Sequence, residues 1–478
     1  MTDRPATIPP LTDLQAPTLK PDAISTTQDT IIGMANAAPT VSVGLVLAVL
    51  AATAAYGGGP VILLCAVAML VLANSYRHLN LWKPNCGASF EWVGRAINPY
   101  LGFFTGWLMI AGNFAGTAAG IVVLAPSVLA VAGASASSTW PNIGISSAVI
   151  LVMLMIAVMG IRLTARTQLS MGLVEYTILI GFAIVGYVAV VGHHSGTFPI
   201  TSGWFSLTGI GGKGSLPGAL LIAVFMFTGW DATVYVNEEV KGRRANPGLA
   251  AVLAVAFLTI IFIVAIMGLQ GVVSPAKLQA NASSALVFVA QALGGSGWAK
   301  VMAFSLALSV IATTGTGIVI LARILYGMAS YRAMPPALGN ISRKYSTPAT
   351  ASVMVGLIFV AIIWVYLLSS SVANVFSDLI DVSGILYASF YSLTALSAIV
   401  YYRRRVFSKA FDGLVIGILP FAAAGFLVWI MVKTLQTAPA SQMWTLLGVV
   451  AVGVVLMLAA RFGMRSPFFQ HQREVADK

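Results

Sequence analysis

Long apolar segments, separated by short polar ones, recur along nearly the whole chain. A segment of about 18 or more apolar residues can cross a bilayer as a helix, whereas the strands of membrane barrels alternate in polarity over roughly ten residues. The pattern therefore predicts an all-α integral membrane protein. We predict twelve transmembrane helices, at residues 31–53, 58–79, 99–132, 142–161, 168–191, 217–239, 247–271, 297–331, 349–368, 372–402, 411–433 and 443–462.

The composition agrees with this pattern. With 58% hydrophobic and 8% charged residues, the chain has too little polar surface to cover a water-soluble globule. The two cysteines, Cys65 in an apolar span and Cys86 in a loop, imply no disulfide. The sequence contains no HExxH, GxSxG or phosphate-loop motif, and its four histidines are peripheral. We therefore expect neither an enzyme nor a bound metal or other cofactor.

The formal net charge of +12 is distributed by membrane side. If the amino terminus is cytoplasmic, 22 of the 26 basic residues fall on the cytoplasmic side, and only Lys213, Lys277, Lys300 and Lys433 remain outside. This bias is typical of multi-pass proteins, whose cytoplasmic loops are enriched in lysine and arginine. It predicts a protein of the cytoplasmic (inner) membrane with both termini in the cytoplasm, in contact with lipid and not with nucleic acid.

Two of the predicted spans are interrupted near their middle. Pro39 in the first span removes a backbone donor and clashes with the preceding turn. In the sixth span, Gly229 lies beside Asp231, whose ionised carboxylate would cost about 2.5–3.5 kcal/mol at the bilayer centre. Because hydrocarbon cannot satisfy the freed backbone groups, a broken helix must line a cavity inside the protein. Matched breaks of this kind are the best sequence indicator of a secondary transporter's midplane site.

The positions of the breaks predict the domain organisation. The second interrupted helix comes five spans after the first, so spans 1–5 and 6–10 would have opposite orientations, as in a five-plus-five inverted repeat. We predict a disordered cytoplasmic tail (1–30), a transport core (31–402) with a first repeat (31–191) and a second repeat (217–402), two peripheral helices (403–462) and a cytoplasmic tail (463–478).

Several motifs resemble those of bacterial permeases in the amino acid–polyamine–organocation superfamily. The most specific one lies in the sixth span and its cytoplasmic end, and the others lie at the end of the eighth span and around the third. They are Phe227-x-Gly229-Trp230-Asp231 with Glu238-Glu239-Val240-Lys241 and Pro247, Arg323–Met328 with Met334-Pro335 and Thr347-Pro348, Gly87–Trp92, and Gly106-Trp107-Leu108. The resemblance covers roughly residues 30–405. It implies a leucine-transporter-like fold, a proton- or sodium-driven or exchange mechanism, and amino acids or related amines as cargo.

The first break departs from the family pattern. Where the family usually has Gly-Ser-Gly, this chain has Ala37-Ala38-Pro39. In the family, backbone amides at this place hold the carboxylate of the substrate, and a proline supplies one fewer. Pro39 could equally be the first residue of the outer half-helix, where proline is well tolerated and the positive helix end would face the cavity.

Residues beside the two breaks, together with a polar residue of the third span, form the predicted substrate site: Ala37, Ala38, Pro39, Thr40, Asn113, Phe225, Phe227, Thr228, Gly229 and Trp230. The resemblance implies that Phe225 is a gating aromatic. For Phe227 and Trp230, packing against neighbouring helices is an equal alternative. Tyr387, on the tenth span, is a further polar residue at this depth.

Four residues are candidates for coupling or gating: Glu175, Asp231, Thr313 and Thr314. Glu175 lies in the middle of an apolar span, where burial disfavours an ionised carboxylate and suits it to carry a proton. It could instead bind sodium or pair with an arginine such as Arg323. Asp231 could accept a proton, contact a cargo ammonium or pair with a neighbouring helix. The threonine hydroxyls could face a cation site, or could serve in helix packing.

Acidic residues end the sixth span at the cytoplasm. A salt bridge from Glu238 or Glu239 to Arg162, Arg166 or Arg323 is our hypothesis for an inner gate.

These features predict a secondary active transporter that moves amino acids by alternating access, with protons preferred over sodium as the coupling ion. The alternatives are a transporter of polyamine, choline or another organic amine, and an amino acid exchanger.

Overall fold

A computed structural model describes residues 18–54, 56–134, 138–207, 216–369, 372–470 and 473–476, with the backbone alone for 372–381. Within these ranges the chain is helical, and the one β-type contact is an isolated bridge between Ile24 and Val240. Eleven helical segments are long and apolar enough to cross a membrane, and a shorter apolar helix occupies the predicted sixth span. The prediction of an all-α membrane protein is confirmed.

The helices of the first half are α1 (Thr26–Asn36), α2 (Pro39–Thr53), α3 (Gly58–Trp82), α4 (Ser89–Ala96), α5 (Pro99–Ala132), α6 (Thr139–Met159) and α7 (Ile161–Val191). The second half contains α8 (Leu216–Met226), α9 (Ala232–Tyr235), α10 (Asn246–Leu269), α11 (Pro275–Ala280), α12 (Ala285–Ser330), α13 (Ala349–Ser369) and α14 (Val372–Tyr401). The helices α15 (Arg403–Val406), α16 (Ala410–Asp412), α17 (Leu419–Leu435) and α18 (Ala440–Leu458) follow. A π-helical turn, Gly413–Ile418, joins α16 to α17.

Contacts between helices repeat from one half to the other. The fifth span of the first half, α7, packs against α1 and α12, and the fifth span of the second half, α14, packs against α8 and α5. The second spans, α3 and α10, pack against each other, as do the third spans, α5 and α12. This is the contact pattern of an inverted repeat, in which equivalent helices occupy equivalent places.

The amino-terminal end differs from the prediction. The prediction of a disordered tail over 1–30 is wrong for residues 18–30, and residues 1–17 lie outside the described part of the chain. Helix α1 begins at Thr26, where Ser25 and Gln28 form a capping box. Upstream of it, Leu19, Ala23 and Ile24 are buried. The local sequence is polar and does not predict order here. The segment is ordered by backbone pairing with Glu239 and Lys241, more than 200 positions away in the chain.

A second difference concerns the start of the eighth span, which was predicted at 297–331. Helix α12 begins earlier, at Ala285, bends at Gly294 and Gly295 and continues to Ser330. Gly295 has a φ of 76°, which a glycine adopts without steric cost. The segment before the bend lies against α2, where Leu286 packs beside Gly44.

The carboxy-terminal segment is bound to the cytoplasmic face. Phe468 is fully buried and stacks on Phe90 of α4 with ring centroids 4.0 Å apart. Glu474 accepts a hydrogen bond of 2.6 Å from Arg95, and its backbone N–H donates to the carbonyl of the same arginine. We name residues 466–476, as far as they are described, the carboxy-terminal strap. Residues 463–478 were predicted as a cytoplasmic tail, and the part of them that is described is packed against the helices.

The two breaks lie where the sequence predicts them and contact each other. Between α1 and α2, Ala38 has a left-handed φ of 46° and Pro39 is the first residue of α2. Between α8 and α9, Gly229 has a φ of 109°. A Cβ atom on Gly229 would lie 2.7 Å from the carbonyl carbon of Asn36, so the two interrupted backbones approach as closely as a glycine allows.

Replacing Gly229 by alanine is expected to destabilise the protein. The unfavourable φ alone costs about 1–3 kcal/mol, and the overlap with Asn36 adds to it. The measurement is the thermal unfolding midpoint of the purified protein. As a control, Gly181→Ala on α7 meets no neighbouring atom within 4 Å, so it should leave the midpoint unchanged or raise it. Equal midpoints for the two variants would contradict the close contact.

Candidate functional site

Polar side chains join the two breaks at the centre of the molecule. The Asn36 amide donates to the carbonyl of Gly229 over 3.3 Å, and the Thr316 hydroxyl donates to the Asn36 side-chain oxygen over 3.2 Å. The Thr313 hydroxyl donates to the carbonyl of Ala35 over 2.9 Å. The carbonyl groups of Ala35 and Gly229 also accept backbone N–H groups, from Ala38 and Ala232. The side chains therefore add a second hydrogen bond to a carbonyl group at each break.

A small cavity lies between the breaks, with a volume of about 30 Å³. Helices α1, α2, α5, α8, α12 and α14 supply its walls. The lining residues are Asn36, Ala37, Ala38, Val41, Ser42, Leu45, Gly116, Thr117, Gly120, Phe225, Thr228, Thr313 and Tyr387. A space of this size holds about one water molecule, so any larger ligand requires the walls to separate.

The structure places half of the predicted substrate set at this cavity. Ala37, Ala38, Phe225 and Thr228 line it directly, and Gly229 shapes it through its contact with Asn36. The other members of the set lie outside the lining: Pro39, Thr40, Asn113, Phe227 and Trp230. Asn113 acts through its neighbour, because its side-chain oxygen accepts a 3.0 Å hydrogen bond from the Tyr387 hydroxyl.

Phe227 and Trp230 are fully buried in aromatic packing. Phe227 meets Phe262 edge to face with ring centroids 5.2 Å apart. Trp230 stacks on Tyr391 at 5.3 Å and meets Tyr76 at 4.9 Å. These contacts favour the packing alternative for both residues.

The sequence analysis missed one wall of the cavity, the face of α5 that carries Gly116, Thr117 and Gly120. A signal was present, because Gly112, Gly116 and Gly120 recur every four residues and so share one helical face. Such spacing in a membrane helix usually indicates close helix packing. Here the ring of Tyr387 lies over Gly112 and Gly116, while a Cβ on Gly120 would meet no atom within 4 Å.

Glu175 of α7 reaches the amino-terminal end of α2. One carboxylate oxygen accepts the backbone N–H of Thr40 over 2.9 Å, and the other finds no hydrogen-bond partner among the described residues. The Thr40 hydroxyl lies 3.2 Å from that of Ser305 on α12. Glu175 is fully buried at this meeting of three helices. The alternative that it pairs with Arg323 is wrong, because that arginine binds another carboxylate.

Asp231 is held by two tyrosines. It accepts a hydrogen bond from Tyr391 over 2.8 Å and a shorter one from Tyr235, four residues away on α9. The carboxylate is buried and does not line the cavity. This geometry favours a bridge between α9 and α14 over direct contact with cargo.

Of the two threonines proposed for a cation site, Thr313 bonds across to α1, while Thr314 donates to the carbonyl of Val310 in its own helix. Within the described residues, no group of three or more His, Cys, Asp or Glu side chains is arranged to hold a metal ion.

A buried ion pair lies at the end of the sixth span that is predicted to face the cytoplasm. Arg323 contacts both carboxylate oxygens of Glu239, at 2.5 and 3.1 Å, and both side chains are shielded from solvent. The backbone N–H groups of Ala23 and Ile24 donate to the carbonyl of Glu239, and Lys241 donates back to Ile24. The lead-in to α1 is thereby fastened to the end of the sixth span. Of the salt bridges that were candidates for the inner gate, the structure contains the one between Glu239 and Arg323, which we call the latch.

Glu238 turns away from this pair and accepts the backbone N–H of Cys86 over 3.1 Å. Its burial raises the pKa of its carboxyl group above the usual range. Burial likewise raises the pKa of the Cys86 thiol, which therefore reacts poorly with alkylating reagents while this side of the protein stays closed.

Replacing Glu239 by glutamine should open the cytoplasmic side. Removing one partner of a buried ion pair costs about 3–5 kcal/mol, because the other charge is left uncompensated. In a Cys65→Ala background, where Cys86 is the remaining thiol, we expect maleimide to label Glu239→Gln at least about tenfold faster than the parent. Glu474→Gln, which removes a charge from the strap and not from the latch, is the matched control. Equal labelling rates for the two variants would rule out the latch.

Comparison with known proteins identifies relatives. A family model described as "Amino acid permease" matches residues 27–458. The gamma-aminobutyric acid permease of Bacillus subtilis is 24% identical over 329 residues, which are 66% of this chain and 66% of that protein. The arginine/ornithine antiporter of Lactococcus lactis is 20% identical over 67% of this chain and 68% of its own length. The methylthioribose transporter of B. subtilis is 24% identical over 64% of this chain and 67% of its own length. The matches thus span about two thirds of the length of these relatives.

A solved structure has the same fold. The manganese transporter of Eremococcus coleocola superposes with a TM-score of 0.59 over 95% of this chain and 99% of its own, at 11% sequence identity. Similarity at this level of identity concerns the fold alone.

Proposed function

Because this chain belongs to the amino acid permease family, we propose that it is a secondary transporter that carries amino acids across the membrane by alternating access. The observation that carries the proposal is the cavity between two interrupted helices, whose walls come from both halves of the chain. Alternating access requires a site whose two entrances open in turn. The buried Glu239–Arg323 pair, in a segment that also holds the lead-in to α1, supplies an inner closure that can open as a unit.

The cavity lining favours small cargo with an uncharged side chain. None of the described residues that line it carries a charge, and Gly116 and Gly120 leave room for a side chain beside Val41 and Leu45. A cationic or anionic side chain would meet no opposite charge there, and burying it unpaired is costly. The relatives named above carry neutral, basic and sugar-derived cargo, so the lining of this chain is the better guide to its substrate.

The end of α2 offers few donors for a carboxylate. Pro39 has no N–H group, and the N–H of Thr40 is given to Glu175. The carboxylate of Glu175 therefore occupies the positive, amino-terminal end of α2, a position that the carboxylate of an amino acid substrate would also favour. The same hydrogen bond joins α2 to α7.

We assign the coupling proton to Glu175. Protonating its carboxyl group removes the charge that the Thr40 N–H favours, which weakens the tie between α2 and α7 and frees a donor at the helix end. Desolvation in the membrane core makes the neutral form accessible, since an ionised carboxylate without a counter-charge is costly there. Proton uptake and movement of α2 are thus linked through one hydrogen bond.

Uptake into proteoliposomes made with the purified protein tests the proposed function. We expect an inward proton gradient to drive accumulation of alanine or serine above equilibrium, whereas a sodium gradient of equal size should not. Arginine and glutamate should compete poorly. Flux without saturation would indicate a pore and contradict the transporter. Accumulation driven by sodium alone would contradict the assignment of the proton.

Glu175→Gln should abolish proton-driven accumulation of the substrate while leaving substrate exchange largely intact. Glutamine keeps an oxygen for the Thr40 N–H and cannot exchange a proton, so gradient-driven accumulation should fall to equilibrium while exchange stays within about threefold. The matched control is Thr177→Ala on the same helix, whose hydroxyl is exposed and bonds to the carbonyl of Leu173. If Glu175→Gln still concentrates cargo with an unchanged pH dependence, Glu175 is not the proton carrier.

Gly120→Leu should narrow the cargo range. A Cβ at this position meets no atom within 4 Å, so the substitution fills the space beside the cavity without displacing a neighbour at that point. Uptake of valine and leucine should fall about tenfold or more relative to alanine, since each methylene excluded from a pocket is worth about 1–3 kcal/mol. Gly144→Leu on α6, also in open surroundings, is the control and should leave the ratio unchanged.

A further inference from the structure

A second cavity of the described structure is an apolar groove of about 470 Å³. It is bounded by α5, α13, α14 and α18 and by the loop that follows α12. Residues from each boundary include Phe114, Ile358, Leu386, Val449, Met334 and Leu338. The Trp107 indole N–H donates to the carbonyl of Val449 over 2.8 Å and fastens α18 across the groove.

The dimensions of the groove fit one extended hydrocarbon chain. Along α13 it runs from Met354 to Tyr366, twelve residues of helix or roughly 18 Å at the usual rise. That length is comparable to one leaflet, about half of a hydrocarbon core of roughly 30 Å. A further helix, about 10 Å or more across, would need far more than 470 Å³ over the same length.

The cytoplasmic end of the groove is bordered by arginines. Arg332 precedes the groove residues Met334 and Pro335, and Arg461 follows Leu456, another groove residue. The Ser466 hydroxyl donates to the carbonyl of Tyr331 over 2.6 Å, which brings Arg465 beside Arg332.

None of the three arginines forms an ion pair within the described residues. Arg461 donates to the Tyr100 hydroxyl at the start of α5 over 3.3 Å. Arg332 and Arg465 are exposed. The groove therefore has an apolar body and a cationic end on the side where basic residues meet anionic headgroups.

We propose that this groove binds an anionic phospholipid of the cytoplasmic leaflet, with an acyl chain in the groove and the phosphate at Arg332, Arg461 and Arg465. The charge at one end and the apolar length at the other match the two parts of such a lipid.

The location links the lipid to the cargo cavity. Phe114 and Ala115 face the groove while Gly116 and Thr117 line the cavity, so the two sites use different faces of α5. On α14, Leu386 lines the groove and the adjacent Tyr387 lines the cavity. An acyl chain bound in the groove would therefore pack against the faces of α5 and α14 that point away from the cargo cavity.

Native mass spectrometry of the full-length purified protein tests the proposal without any transport measurement. The probes are phosphatidylglycerol and phosphatidylcholine with identical acyl chains. We expect the wild type to retain one phosphatidylglycerol at least about fivefold more often than phosphatidylcholine. The variant Arg332→Gln/Arg461→Gln/Arg465→Gln should lose this preference.

Two further variants complete the test. Arg343→Gln/Arg403→Gln/Lys409→Gln removes as many cytoplasmic charges elsewhere and should behave as the wild type. Ile358→Trp, which fills the groove, should lose retention of both lipids, and phosphatidylglycerol should no longer raise its unfolding temperature. The proposal is overturned if the wild type retains both lipids equally, or if the charge control loses as much preference as the variant Arg332→Gln/Arg461→Gln/Arg465→Gln. It is also overturned if a second copy of the chain occupies this face instead.

Discussion

The contact between the two interrupted backbones is the constraint on which the rest of the structure depends. Gly229 lies against Asn36 and Ala37 at a distance that excludes any side chain, and its φ of 109° suits glycine. An interrupted helix in hydrocarbon would leave carbonyl and N–H groups without partners, at a cost of several kcal/mol each. Because the two interruptions lie together, the Asn36 side chain at one can donate to the carbonyl of Gly229 at the other. The same arrangement leaves a cavity between them.

Side chains from other helices form hydrogen bonds with backbone groups at the breaks. Thr313 donates to the carbonyl of Ala35 and Asn36 donates to that of Gly229, while Glu175 accepts the N–H of Thr40. Two of these partners are neutral and one is ionisable. A protein that needed the breaks only for shape could use neutral partners throughout, so an ionisable group at one of them makes the geometry of α2 depend on its protonation.

Much of the architecture could be predicted because the signals are local. The third span was predicted at 99–132 and α5 has these bounds, since Asn98 caps its start, Pro99 occupies its first turn and Gly133 ends it. The breaks at Pro39 and Gly229 were likewise predictable from residue type.

Contacts between distant segments could not be predicted in this way. Asp231 has one partner, Tyr235, a single helical turn away, but its second partner, Tyr391, is 160 residues away in the chain. The order of residues 18–25 and the position of Thr40 against Glu175 also arise only when distant segments fold together.

The carboxy-terminal strap has a mechanical consequence. It joins the end of α18 to α4 through Phe468, to the end of α12 through Ser466 and to the end of α14 through Ala476. It makes no described hydrogen bond to α1 or α9. The strap therefore holds the ends of α4, α12 and α14 together as one unit. The lead-in to α1 is held by other contacts, namely its backbone pairing with Glu239 and Lys241 and the Arg162 side chain, which donates to the carbonyl of Ala23 over 3.1 Å. Helix α1 can thus move against a group of helices that the strap keeps fixed.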